Sequence, residues 1–334
     1  MLENKMQNMF CSIFSHGFYE YRLLPTLYIF VFIIGVAANG WGLKYLLQKL
    51  KNLKIINVFV LNLGLANILF LAILPFLVAY YFMRSKWIFG DAFCKMTRFC
   101  FNLNLYGSIG FLTCISVYRY LAIVHPVRVM GRITVAHSVI ISVMVWFLVS
   151  VQCLPDMFFV KTTYKNYTGK CYQTTSRDYV GGYLKYSLAW TITGFFIPFL
   201  ITVGCYGHIA VVLWTIKRID KVQKRRSLRL LFILILLFSV CYIPYHLLKN
   251  LTLYSRVLSN QRKCPPWDSA AFSAHQISRG LVCLNSALNP LVYLHTNERL
   301  AAQLRRWLQS RPVFNHLFLS DSGSRSVGQS TDEV

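Results

Sequence analysis

Cys94-Lys95-Met96-Thr97-Arg98, followed by FCFNLNLYGSIGFLTCISV over residues 99–117 and by Tyr118-Arg119-Tyr120, decides how this chain folds. One apolar run carries a cysteine and an arginine near one end and an arginine between two tyrosines near the other. At a helical rise of about 1.5 Å per residue, Cys94 and Arg119 stand roughly 37 Å apart, a bilayer core plus part of both interfaces. The stretch therefore reads as one tilted membrane helix, polar at both ends.

Further uncharged runs recur on either side: Leu27 to Leu43, Ile56 to Met83, His137 to Pro155, Tyr186 to Ile216 and Leu230 to Leu248, and a last segment from about Asp268 to Tyr293, with Asp268 and Arg279 as its charges, makes seven with the Cys94 stretch. The expected fold is all-α, a seven-transmembrane helix bundle over 24–295. The 334 residues are 56% hydrophobic and only 14% charged, too apolar for a soluble domain. A net charge of +24 in a soluble protein would point to nucleic acid, but here most of it sets topology. Lys44, Lys49, Lys51, Lys54, Arg128, Arg132, the run Lys217 to Arg229, and Arg299, Arg305 and Arg306 follow odd-numbered helices. The positive-inside rule makes those segments cytoplasmic and residues 1–23 an extracellular tail. A residual excess of cations lies outside, where an anionic ligand would explain it.

Of ten cysteines, six sit inside apolar helices as buried thiols, while Cys11, Cys94, Cys171 and Cys264 map to the oxidising side. Cysteine and histidine spacing supports no metal site, and no cofactor is expected. The absence of a Gly-rich phosphate loop, HExxH or a suitably placed GxSxG argues against an enzyme. Asn166-Tyr167-Thr168 is a glycosylation sequon in an outside loop, whereas Asn250-Leu251-Thr252 falls on a membrane helix. Leu300, Leu304, Leu308 and Trp307 line one face of a short amphipathic helix over 296–310, expected to lie on the lipid surface. The tail over 311–334 reads as disordered, with serines open to phosphorylation.

The Cys94 stretch resembles the third transmembrane helix of rhodopsin-like G-protein-coupled receptors, with Tyr118 where that family usually has an acid before the arginine. The resemblance extends to Asn39, to Leu61-Asn62-Leu63-Gly64-Leu65-Ala66-Asn67, to Phe196-Ile197-Pro198 with Tyr206, to Phe238-x-x-Cys241-Tyr242-x-Pro244, and to Asn289-Pro290-x-x-Tyr293. It implies a Cys94–Cys171 disulfide, and the residual pair Cys11 and Cys264 resembles a second bridge of chemokine and nucleotide receptors. It also assigns Arg119, Tyr206, Phe238, Tyr242, Pro244, Asn289, Pro290 and Tyr293 to activation and coupling to a heterotrimeric G protein. Asn67 stands where most relatives have a sodium-binding aspartate, which implies a weakened or absent sodium site. Arrestin and receptor kinases would meet the tail, and the location would be the plasma membrane.

His246-x-x-Lys249, with Arg256 two turns on, and Gln276-x-x-Arg279 place cationic and hydrogen-bonding groups on single helix faces, and Arg98 stands one turn inside Cys94. Singly, Arg98, Lys249 and Arg256 read equally as side chains snorkelling to the interface, and His246 as a satisfied bundle histidine. Converging on one pocket, they would repel one another unless a polyanion paired with them. These motifs resemble the nucleotide-binding purinergic receptors, especially the ADP-responsive subgroup, with Gln173 and His275 as departures. The implied ligand set is Arg98, Tyr172, Thr174, His246, Lys249, Thr252, Arg256, Gln276 and Arg279. The implied function is a receptor for an extracellular nucleoside diphosphate such as ADP, acting through phospholipase C and calcium. A dicarboxylate receptor and a non-signalling nucleotide-binding or scavenging protein are the alternatives.

Overall fold

The structure, a computed structural model, describes residues 22–48, 54–129, 131–165, 168–215, 228–229, 232–233, 235–263 and 265–289. Seven long helices account for most of it. They are α1 (Leu24–Leu47), α2 (Ile55–Phe82), α3 (Asp91–Val124), α4 (Val135–Cys153), α5 (Val180–Thr191 continuing through Ile192–Phe196 into Ile197–Thr215), α6 (Ile243–Asn260) and α7 (Asp268–Leu288). Packing closes a ring, α1 on α2, α2 on α3, α3 on α5, α5 on α6, α6 on α7 and α7 back on α1, while α4 lies outside against α2 and α3. The outer surface is apolar in the manner of a lipid-facing bundle: Phe30, Phe147 and Trp214 are exposed. Among the described residues, five helical segments are long and apolar enough to span a bilayer, Leu24–Lys44, Ile55–Phe82, Asp91–Val124, Val135–Phe158 and Arg177–Thr215. α6 and α7 each turn a polar face inward, bearing Lys249 and Thr252 or Gln276 and Arg279, all buried.

Two prolines shape the bundle. Pro198 and Pro244 lack the N–H that would bond the carbonyl four residues earlier, and a π-helical turn precedes each, Ile192–Phe196 and Phe238–Tyr242. The chain thus enters α6 at Pro244 through a widened turn. Phe238 in the second turn packs on Phe199 and Tyr242, with ring centres 5.7 and 5.2 Å away. The Tyr242 hydroxyl accepts from Asn285 Nδ2 on α7. Ile109 and Tyr206 are buried in the same core.

Below it lies a cluster of neutral amides. Asn67 Nδ2 donates to Asn39 Oδ1 at 2.9 Å, and Asn67 Oδ1 accepts from Asn104 Nδ2 at 3.1 Å and from Asn289 Nδ2 at 3.0 Å. Ser286 Oγ donates to Asn104 Oδ1 at 3.0 Å. Four helices are thereby joined through polar side chains that have no water to turn to.

Several boundaries differ from the sequence reading. The fourth helix, whose uncharged run extends to Pro155, stops at Cys153 because Pro155 cannot continue the ladder, and a 3₁₀ turn, Leu154–Phe158, follows. α5 starts at Val180, ahead of the uncharged run that opens at Tyr186, and α6 runs on to Asn260, beyond the run that closes at Leu248. The loop between the 3₁₀ turn and α5, residues 159–179, contains an antiparallel hairpin, β1 (Thr162–Lys165) with β2 (Thr168–Cys171), in register Thr162 to Cys171. Its second strand is pinned from outside by Trp87 N, which donates 2.7 Å to Gly169 O. Cys11, Cys264, Asn166, Pro290 and Tyr293, the basic run before residue 228, the amphipathic helix over 296–310 and the terminal tails lie outside the described residues.

Candidate functional site

Four of the ring's helices, α2, α3, α6 and α7, and the hairpin loop enclose a cavity of about 820 Å³ at the extracellular end. The disulfide Cys94–Cys171 ties the end of β2 to the first turn of α3, which brings the loop over the helix ends. The tie is reinforced through one carbonyl: Cys171 O accepts from Arg98 Nη2 at 3.2 Å and from the Tyr80 hydroxyl at 3.2 Å. Residues 172–174 consequently form one wall of the cavity.

Of the nine ligand residues implied by the sequence, eight line it: Arg98, Tyr172, Thr174, Lys249, Thr252, Arg256, Gln276 and Arg279. Lys170 and Arg177 of the loop add two cations the sequence reading did not single out. Their charge was visible in an outside loop, but nothing in the sequence says that they border the cavity. Among the described residues, six cationic side chains thus face one carboxylate, Asp268, which itself accepts from Ser255 Oγ. Arg98, Lys249 and Arg279 are 4%, 2% and 2% exposed, so these are sunk charges rather than a wetted rim.

Neutral groups hold the guanidinium forks in place. Arg279 Nη1 donates 2.7 Å to Gln173 Oε1, and its Nη2 donates 2.8 Å to the Tyr81 hydroxyl. Arg256 Nη1 donates 2.7 Å to Thr174 Oγ1, and its Nη2 donates 2.7 Å to Thr175 O. Lys249 Nζ stands over two aromatic faces, 5.6 Å from the Trp190 ring centre and 5.9 Å from that of Tyr183. Gln173 and Tyr81 are therefore site residues by geometry. Gln173 was conspicuous in the sequence only as a departure from a motif, and Tyr81 not at all, since its α2 position looks like any core aromatic.

His246 lies elsewhere. It is fully buried one turn beneath Lys249, does not border the cavity, and stacks on Phe195 with ring centres 4.4 Å apart. Phe195 in turn stacks on Phe238 at 6.3 Å, which links the cavity floor to the π turn of α6. His246→Ala is accordingly expected to change agonist affinity less than about threefold yet to cut the maximal response by more than about half. Equal losses in radioligand affinity and in response would instead put His246 in the binding set. Asn250 of the second sequon is also committed inside the bundle, donating 2.9 Å to Thr191 Oγ1 and accepting from Ser187 Oγ at 2.8 Å.

Residues 43–293 match the family model of the 7 transmembrane receptor (rhodopsin family). Purinoceptor 1 of the mouse (Mus musculus) is 38% identical over 297 residues, 89% of this chain and 79% of the relative. The human (Homo sapiens) purinoceptor 1 gives the same identity and coverage. Purinoceptor 4 of Xenopus laevis is 33% identical over 304 residues, 90% of this chain and 56% of that protein. A helical bundle closed around a buried cationic cavity, matched along most of its length by these proteins, is a multi-pass plasma-membrane receptor rather than an enzyme, and the chain belongs to the rhodopsin family of seven-transmembrane receptors, among the purinoceptors.

Proposed function

We propose that this receptor responds to an extracellular nucleotide, a nucleoside diphosphate such as ADP, and signals through a heterotrimeric G protein to phospholipase C and calcium. The carrying observation is the charge imbalance of the cavity, six cations to one carboxylate among the described residues, with three of the cations almost wholly buried. Buried like charges repel and have lost their hydration, so a ligand bearing several phosphate oxygens relieves both costs together. Arginine forks pair with such oxygens two at a time, and Lys249 supplies a point charge. Tyr172, Thr252 and Gln276 supply hydrogen bonds and a ring face for sugar and base. A small dicarboxylate would engage two of the cations and leave the rest uncompensated, which favours the nucleotide.

In the structure Arg256 and Arg279 hold the loop through neutral oxygens, and phosphate oxygens would replace those partners. Ligand affinity that differs between closed and open arrangements then shifts the population, with Phe238, Tyr242, Tyr206 and Arg119 along the route to the G protein and the tail left to arrestin and receptor kinases. The test is intracellular calcium in receptor-null cells expressing the full chain, challenged with ADP, ATP, UDP, UTP, succinate and 2-oxoglutarate. The expected result is a response to nucleotides with ADP the most potent. A response confined to the dicarboxylates would overturn the ligand class, and nucleotide binding without any second messenger would make the chain a scavenger.

A further inference from the structure

Behind the cavity wall lies a buried ion pair. Lys161, fully buried, donates 2.7 Å to Asp156 Oδ1 and also donates to Thr174 O. Asp156, 1% exposed in the 3₁₀ turn after α4, accepts at Oδ2 from Asn102 Nδ2 of α3 at 3.1 Å, and the Tyr183 hydroxyl of α5 bonds it as well. Lys161 Nζ stands 4.7 Å from the centre of the Tyr183 ring, and Lys249 Nζ of α6 stands 5.9 Å from the same centre. A buried carboxylate beside a buried cation pocket attracts whichever ammonium is nearest, because charges interact strongly where water is excluded. Lys161 is the ammonium that reaches it.

We propose that Lys161 is a positioning residue for the anion site: by neutralising Asp156 it leaves Lys249 available to the ligand, and through Thr174 O it sets the loop segment that Arg256 grips. The proposal rests on the nucleotide reading of the cavity. It gives two residues on the far side of the wall, neither touching ligand, control over how many cations the ligand meets. The groups facing Lys161 are Asp156, Tyr183, the Thr174 carbonyl, and the cations Arg98 of α3 and Lys249 of α6. Burial pulls the Lys161 ammonium down to about 8, against the pull of Asp156 in the other direction and with help from Lys249 and Arg98. Its charge is therefore present near neutral pH and is lost as pH rises through that value, after which Asp156 is left to the remaining cations.

Binding of a radiolabelled, non-hydrolysable ADP analogue to membranes bearing the full-length receptor tests this. Lys161→Met should weaken binding by about tenfold, and adding Asp156→Asn should restore it to within about threefold of wild type, because no carboxylate then remains to capture Lys249. Between about pH 7 and about 9, where the nucleotide phosphates are already ionised, wild-type affinity should fall while Lys161→Arg holds level. A single variant with unchanged affinity, or a double variant as weak as the single, overturns the proposal. Where Lys161→Met fails to reach the membrane, the pH comparison decides, and parallel falls in wild type and Lys161→Arg overturn it. Arg279→Ala separates the two readings: analogue binding that survives it removes the nucleotide site, whereas binding lost there and unchanged in Lys161→Met removes only the role of Lys161.

Discussion

Arg279→Ala is expected to abolish the nucleotide response at ordinary agonist concentrations, with potency down by roughly 100-fold or more and display at the cell surface retained. The size follows from the fork. Arg279 is 2% exposed, and both its terminal nitrogens already make 2.7–2.8 Å hydrogen bonds to neutral acceptors, Gln173 Oε1 and the Tyr81 hydroxyl. A phosphate offers the same nitrogens charged oxygens in a site from which water is largely excluded, and each charge-assisted bond is worth about 1.5–3 kcal/mol. Display should persist because truncation removes a buried charge, and Gln173 and Tyr81 can turn to water that enters the enlarged cavity. Arg279→Lys should recover only part of the loss, since an ammonium cannot reproduce the fork. An unchanged dose response for Arg279→Ala, measured beside surface labelling, would take Arg279 out of the site.

Cys171→Ser is expected to be the more damaging change to the protein as a whole. The bond it removes spans 77 residues of chain, and closing a loop of that order contributes roughly 4–5 kcal/mol on the loop-entropy account. It also fixes the carbonyl to which Arg98 and Tyr80 donate, so the hairpin would lose its seat over the cavity together with its covalent tie. The variant should be retained inside the cell, and the fraction that escapes should unfold at lower temperature and fail to respond. Cys94→Ser and the double variant should match it, because all three lack the same bond. A displayed Cys171→Ser receptor with wild-type potency would contradict the role given to the loop.

Much of the site was readable because it was built on two periodicities. His246, Lys249 and Arg256, like Gln276 and Arg279, are spaced to share a helix face, and a cation on the inward face of a membrane helix demands a partner. That reasoning reached Lys249, Arg256, Gln276 and Arg279 but placed His246 with them, since helical spacing gives the face and not the depth. One turn separates a side chain that borders the cavity from one packed on Phe195 below it. Gln173, Lys170 and Arg177 were beyond such reasoning because a loop has no period to read. The ion pair of Asp156 and Lys161 was equally hidden. Both residues follow the end of a helix, where charges ordinarily meet water, and only the packing of α3, α5 and the loop around them buries them.

Residue order alone pointed to the class of this protein, and from it come the expected topology and the ligand chemistry proposed for the cavity. Apolar runs long enough to cross a bilayer leave the backbone no choice but helix, and the basic linkers orient them. The motifs from Asn39 to Asn289 then select one family among helical membrane proteins. It took the closed bundle to establish which cations share a cavity, which residues hold their forks, and that one carboxylate is matched by Lys161 rather than by Lys249. Those facts depend on distances between segments far apart in the chain: Arg279 meets Gln173 and Tyr81 only once α7, the hairpin loop and α2 have closed the ring. Local physics sets each helix and its faces, but the meeting of faces is set by packing and by the Cys94–Cys171 bond that draws the loop over them.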